Sequence, residues 1–277
     1  MNCKRIQQAT KATVVALTIA GCGAFSAQSE ILTGLVWNGN NIFTIDSSAP
    51  GTLLTSVGVS GLQGGDILVG IDYLGSNLYA AGQAGNLYTL NPTTGAASLV
   101  NHFGSLNGLY YGMDASAAGI RIVSDADINL LLNPITGAVI SSTPTLSPTT
   151  LTIDAIASLG STMYAVDSVA NTLGTLNTAT GAFSTIGAMG YDVSGKNGFD
   201  ISQISGTAFF ASAVSSSGVD ANLYQVNLST GFASLVGTIG PGEGLLVGGL
   251  TTVPEPSSIA LGLVGGVGML ALLRRRK

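Results

Sequence analysis

The chain has 277 residues, with nine Lys and Arg against fourteen Asp and Glu, one His, 39 Gly and a formal charge of −5 at pH 7. Seven of the nine cations stand in the end segments, so Gln28 to Val253 carries thirteen acids and only Arg121 and Lys196, a formal charge of −11. A nucleic-acid groove needs a band of basic side chains facing phosphate, and this composition excludes one.

Residues 1–27 run from Lys4, Arg5 and Lys11 through an apolar stretch, Ala12 to Gly21, into the small residues around Ala24-Phe25-Ser26-Ala27. That order of charge, short apolar core and small residues predicts a secretory signal peptide, too short to remain as a membrane anchor, with cleavage near Ser26 or Ala27. Ile19-Ala20-Gly21-Cys22 also resembles a bacterial lipobox, in which the Cys22 thiol is acylated and becomes the mature N-terminus. Both cysteines, Cys3 and Cys22, fall in this segment, so after ordinary cleavage the domain has no thiol and must hold itself together by packing.

Residues 28–252 repeat. Asn41-Ile42-Phe43-Thr44-Ile45-Asp46 returns as Asn86-Leu87-Tyr88-Thr89-Leu90-Asn91, and again from Asn129, Asn171 and Asn222, at spacings of 45, 43, 42 and 51 residues. Four copies continue into a turn ending in Gly95, Gly137, Gly181 or Gly231 and then a second strand, which predicts a hairpin whose glycine supplies a positive φ. Two more short strands lie upstream of each copy, and four strands in about 43 residues make a propeller blade. The first copy lacks an innermost strand and Leu245 to Leu250 is an innermost strand with nothing after it. Together they predict an all-β propeller of five four-stranded blades, closed by a blade shared between the chain ends, which hides the edges of an open sheet.

The innermost strands share Gly70-Ile71-Asp72, Gly112-Met113-Asp114, Thr152-Ile153-Asp154 and Gly198-Phe199-Asp200, with no acid at Gly248-Gly249-Leu250. Asp72, Asp114, Asp154 and Asp200 are therefore expected at one level of a ring. They could hold a hard cation such as Ca²⁺ with oxygen ligands, or, as the favoured reading, accept hydrogen bonds from backbone N–H groups of neighbouring blades. Asp125-Ala126-Asp127-Ile128-Asn129 opens like a calcium loop but has Leu130 where that loop needs glycine, and reads as a connection between strands. No metal site is assigned and no cofactor is expected. His102 stands alone, and the chain has no GxSxG elbow, HExxH helix or phosphate-binding loop, so no catalytic residue is assigned.

At the C-terminus, Val253-Pro254-Glu255-Pro256 precedes an uncharged apolar segment, 257–273, and then Arg274-Arg275-Arg276-Lys277. Seventeen uncharged residues at about 1.5 Å each reach the lower limit for a membrane-spanning helix, and the cations would keep its end in the cytoplasm with the propeller outside. The motif, helix and basic run of residues 253–277 resemble a PEP-CTERM sorting signal. The resemblance implies recognition and processing by an exosortase in a Gram-negative bacterium that makes extracellular polysaccharide, with the membrane engaged at least transiently.

Gly70-Ile71-Asp72-Tyr73, Asn86 to Gly95, and above all Ile120-Arg121-Ile122-Val123-Ser124-Asp125 with Asn129-Leu130 and Asn133-Pro134 resemble the secreted bacterial domain of unknown function 4394. The resemblance runs over most of residues 31–252 and implies a propeller-like fold, frequent company with PEP-CTERM tails, and no activity to transfer. Arg121, one of the two cations of the domain, is expected in a buried ion pair with Asp125 or with an inner-strand Asp. The functional expectation is an exported, exosortase-sorted surface or matrix protein without enzymatic activity, binding exopolysaccharide, a cation or a protein through a propeller face. The alternative is a propeller enzyme that cleaves a glycan or lactone with the Asp ring.

Overall fold

A computed structural model describes residues 29–142, 146, 151–213 and 220–254. The signal segment with Cys22, Glu255 and Pro256 of the sorting motif, the apolar segment 257–273 and the basic run Arg274–Lys277 lie outside the described residues.

Among the described residues, twenty strands form five antiparallel sheets of four. Ile31–Val36 (β1), Asn41–Asp46 (β2) and Leu53–Gly58 (β3) build most of the closing blade. The next two blades are Leu68–Leu74 (β4), Asn77–Gly82 (β5), Asn86–Leu90 (β6) and Ala97–His102 (β7), then Tyr111–Ser116 (β8), Gly119–Ser124 (β9), Asn129–Leu132 (β10) and Val139–Ser142 (β11). Ile153–Leu159 (β12), Thr162–Asp167 (β13), Thr172–Leu176 (β14) and Phe183–Ala188 (β15) form another. The fifth sheet is Asn197–Ile201 (β16), Ala208–Ala213 (β17), Ala221–Val226 (β18) and Ala233–Thr238 (β19), after which Val247–Thr252 (β20) pairs with β1. The shared closing blade is the one expected from the two incomplete repeats: the order β20-β1-β2-β3 completes the ring.

Each blade packs between two others, so its inner strands are covered on both faces. β9 and β17 are buried at every position, whereas the outermost strands, such as β3 and β7, are largely exposed. This double burial is why the inner strands read as apolar runs rather than alternating ones. Phe43, Tyr88, Phe209 and Phe210 fill the spaces between sheets, and the ring of Phe199 meets Phe210 edge-on at 5.9 Å. The outermost strand of every blade joins its neighbour through a register shift. A bulge there increases the twist and blunts an edge that carries almost no charge.

Gly95, Gly137, Gly181 and Gly231 close the repeated turns with φ of 64° to 81°. In each, the Asn that follows the third strand accepts two backbone N–H groups on its side chain; Asn91 Oδ1 takes those of Thr93 and Thr94 at 2.9 and 3.0 Å. Around the axis the spacing is set by glycine. A Cβ on Gly112 would stand 2.9 Å from the Ala155 Cα, and one on Gly198 would overlap the backbone nitrogen of Leu250.

Candidate functional site: a carboxylate ring at the mouth of the axis

Asp72, Asp114 and Asp200 stand at one level near the ends of β4, β8 and β16, and each reaches across to the next blade. The Ala115 N–H donates to Asp72 Oδ2 at 2.5 Å, the Ser158 N–H to Asp114 Oδ1 at 2.6 Å, and the Thr252 N–H and hydroxyl to Asp200 Oδ2 at 2.6 and 2.8 Å. Where no acid is available, other side chains close the ring. Thr251 Oγ1 of the closing blade donates to Asp72 Oδ1 at 2.6 Å, and Gln203 Nε2 donates to the Ser158 carbonyl at 2.6 Å. All five blade junctions are therefore stitched at the same level.

Asp154 does not join them, which corrects the expected ring of four. Asp72 pairs with Tyr79 across its hairpin, and in the β12 blade the residue opposite the matching Tyr164 is Ala157. Asp154 thus lies three residues earlier on its strand, toward the opposite end of the axis, where it accepts the Ser168 hydroxyl and Asn197 Nδ2 at 2.5 and 3.0 Å. Thr251, which pairs with Thr33, occupies the acid's place in the closing blade.

Burial pushes all four carboxyls up. Asp154 reaches about 7 and Asp200 about 6, with burial the main cause in both despite their hydrogen-bond donors. Asp72 is raised well above the ordinary carboxylate value by burial and then by the charges of Asp200 and Asp114. Asp114 is raised by burial, with the Ser158 hydrogen bonds and the Arg121 charge opposing. Its Oδ2 is buried and has no hydrogen-bond partner.

Arg121 stands directly across the hairpin from Asp114 and donates to Asn129 Oδ1 at 2.5 Å. The expected pair with Asp125 is not formed. Asp125 Oδ1 instead accepts the Leu109 and Tyr110 N–H groups at 2.8 and 3.2 Å, holding the connection into β8. His102 ends β7 against Asn86 Oδ1 at 3.1 Å, away from the axis. Among the described residues no group of three His, Cys, Asp or Glu side chains is placed to hold a metal ion.

The ring forms the floor of a cleft of about 450 Å³. Its wall includes Tyr73, Leu74, Ile201 and Ile204, with Ser116, Ser158, Gln203 and Ser205 supplying polar groups. Glu30, Val253 and Pro254 also line it, so the chain enters and leaves the propeller at this mouth. A smaller hollow of about 100 Å³ on the opposite face is bordered by Trp37, Tyr110 and Gln83, with Lys196 Nζ 4.5 Å from the centre of the Trp37 ring.

Composition misled about the surface. Asp66, Asp72, Asp114, Asp154, Asp167 and Asp200 are buried, so nearly half of the domain's acids never face solvent. Asp66 was not singled out in sequence. It accepts the Ile67 and Ala84 N–H groups on one oxygen, and Asn86 Nδ2 and the Tyr88 hydroxyl on the other. The Asn and Tyr of its repeat were visible, but their shared acceptor 20 residues upstream was not.

Residues 41–250 match the family model described as Domain of unknown function (DUF4394). The chain belongs to this family. Residues 252–277 match the PEP-CTERM protein-sorting motif, which marks an exported protein handled by the membrane-associated exosortase machinery. Among curated proteins, none matches the sequence. The fold is similar to a chain of a nidogen/laminin complex, at 11% identity and TM-score 0.50 over 82% of this chain and 99% of that one. It is also similar to a glutaminyl cyclase from Myxococcus xanthus, at 12% identity and TM-score 0.46 over 75% of this chain and 95% of that one. Such likeness describes the propeller fold of this DUF4394 member and carries no function to it.

Proposed function

We propose that the protein is a non-enzymatic module of the outer surface or extracellular matrix that holds exopolysaccharide in the axial cleft. The observation that carries this reading is the cleft itself: about 450 Å³, with apolar walls, a rim of serine and glutamine groups and a polar floor. That size and mixture suit a ligand-binding pocket, where apolar surface supplies area and a few polar groups orient the ligand. A non-catalytic role is supported by the carboxylate floor, most of whose oxygens are engaged in joining blades. The sorting tail supports placement outside the cell, and its resemblance to exosortase signals implies a host that makes extracellular polysaccharide.

The test is calorimetric titration of the full chain, purified in detergent, with the host's extracellular polysaccharide. Binding is expected, together with its loss in Ala117→Trp, which narrows the mouth from an exposed turn. Binding unchanged by that substitution would remove the cleft from the reading. One observation favours the enzymatic alternative: Asp114 has a raised pKa and an unpartnered oxygen beside the cleft, the condition of a general acid. Release of sugar from the polysaccharide, abolished by Asp114→Asn, would establish it instead.

A further inference from the structure

The two faces of the propeller differ in charge. Strands of a blade alternate in direction, so the turns after its first and third strands lie on the cleft side, and the remaining connections on the other. Of the seven acids that are not buried, Asp125, Asp127, Asp192, Asp220 and Glu243 stand on that other side with Lys196. The cleft side keeps Glu30 and Asp46, and both are engaged: Glu30 Oε1 accepts the Ser205 hydroxyl at 2.5 Å, and Asp46 Oδ1 accepts the Ser48 N–H and hydroxyl at 2.8 and 2.6 Å. Its turns, at 75–76, 117–118, 160–161 and 202–207 near the axis and at 47–52, 91–96, 133–138, 177–182 and 227–232 farther out, contain no charged residue. From them Ile135 and Ile204 stand out, 84% and 74% exposed.

The sorting tail leaves from this same side. Val253 and Pro254 line the cleft, and the uncharged apolar segment begins at Ser257. Even fully extended, the three residue steps between Pro254 and Ser257 reach about 10 Å. A folded domain of this length has a radius of gyration of about 17 Å. So short a tether cannot let the propeller turn over, and the surface that holds the tail meets the cleft side. Pressing a carboxylate against lipid strips it of water at high cost, which a charge-free rim avoids. Exposed isoleucines gain there from the apolar area they withdraw from water.

We infer that the cleft side of the propeller rests on the bilayer surface while the sorting tail is attached, with Ile135 and Ile204 at the lipid interface, and that loss of the tail uncovers the cleft. The docking stands on the tether and the charge pattern. Its consequence, that polysaccharide enters the cleft only after processing, rests on the polysaccharide reading.

The test uses the full chain with Cys3 and Cys22 replaced by Ser, reconstituted in phosphatidylcholine vesicles. One variant carries Ala117→Cys, in an exposed turn of the cleft side, and another Val169→Cys, 71% exposed on the other side. Each is reacted with a bulky polyethylene-glycol maleimide, and chains facing the vesicle lumen hide the same fraction of both thiols. Ala117→Cys is expected to react at least tenfold more slowly than Val169→Cys. In detergent the two rates should be similar, because a micelle curves away from the rim where a bilayer continues beneath it. A linker of about twenty Gly and Ser residues between Pro254 and Glu255, spanning about 25 Å, should bring the rates in vesicles to within about twofold. It should also restore the binding of host polysaccharide that the vesicle-bound chain lacks. Ile135→Glu combined with Ile204→Glu should speed the Ala117→Cys reaction in vesicles at least threefold and leave Val169→Cys unchanged. Equal rates at the two cysteines with the natural tether would overturn the docking and leave polysaccharide binding intact. Slow reaction at Ala117→Cys, with no polysaccharide bound by the linker variant, would keep the docking and overturn the polysaccharide reading. Protection that grows with the protein-to-lipid ratio would assign the face to a second copy of the chain and overturn its assignment to lipid.

Discussion

Asp154→Asn isolates one buried carboxyl and gives a quantitative test of how the axis is stabilised. Burial holds this acid at about 7 in the fold, against 3.8 for an ordinary Asp. The folded protein therefore binds an extra proton between those values. The stability it contributes is fully present below the unfolded pKa and is lost as pH rises through about 7. The gap between the two values corresponds to roughly 4 kcal/mol. For a domain of this size that amounts to a Tm change of about 8–16 °C. Asn resembles the protonated acid: its oxygen can accept from Asn197 and its amide can face the Ser168 hydroxyl, the two partners of Asp154. Melting curves of the full chain in detergent, followed by circular dichroism from about pH 4.5 to about pH 8.5, should show a fall in wild-type Tm and a distinctly smaller one in the variant. Asp72, Asp114 and Asp200 titrate in the same direction, so the difference between the two curves is the quantity that counts. Parallel curves would refute the account of Asp154 as a proton-bearing residue.

Further outcomes follow from the same geometry. Asp72→Ala strips an acceptor from the Ala115 N–H and the Thr251 hydroxyl and should cost about 3 kcal/mol in urea unfolding, at 1–3 kcal/mol for each stranded donor; Asp72→Asn should cost less. Gly198→Ala drives a methyl into the Leu250 backbone, so a loss of about 1–3 kcal/mol is expected, whereas Gly64→Ala, with open space around it, should show only the smaller cost of its positive φ. Calcium should leave the Tm unchanged, because the ring oxygens already serve backbone donors of the adjacent blades; a rise in Tm with calcium would overturn that assignment. In cells, replacing Pro254, Glu255 and Pro256 by Ala should leave unprocessed chain in the membrane fraction, since these residues belong to the matched sorting motif. Cys22→Ser should leave export unaffected if cleavage follows Ser26 or Ala27, and loss of a lipid label in that variant would establish acylation instead.

What the amino-acid order determined by itself is what short-range chemistry controls. Asn-x-x-x-Gly turns specify their hairpins within five residues, through an Asn side chain that accepts the turn's own N–H groups and a glycine free to take positive φ. Their recurrence gave the blade count, the incomplete first and last repeats gave the closure, and the tail carried its own sorting address. Tertiary structure decided the site. The inner strands are buried on both faces, so they lack the alternation that would pin their register, and Asp154 could be aligned with Asp72 although it lies toward the other end of the axis. The partners that matter, such as Asp114 and Ser158 or Asp72 and Thr251, are 44 and 179 residues apart. Their meeting depends on how blades pack around the ring, which also decided that Arg121 faces Asp114 and Asn129 while Asp125 holds a loop. Composition counted thirteen acids, but only the packed fold could bury six of them and set three of those six on the floor of the cleft.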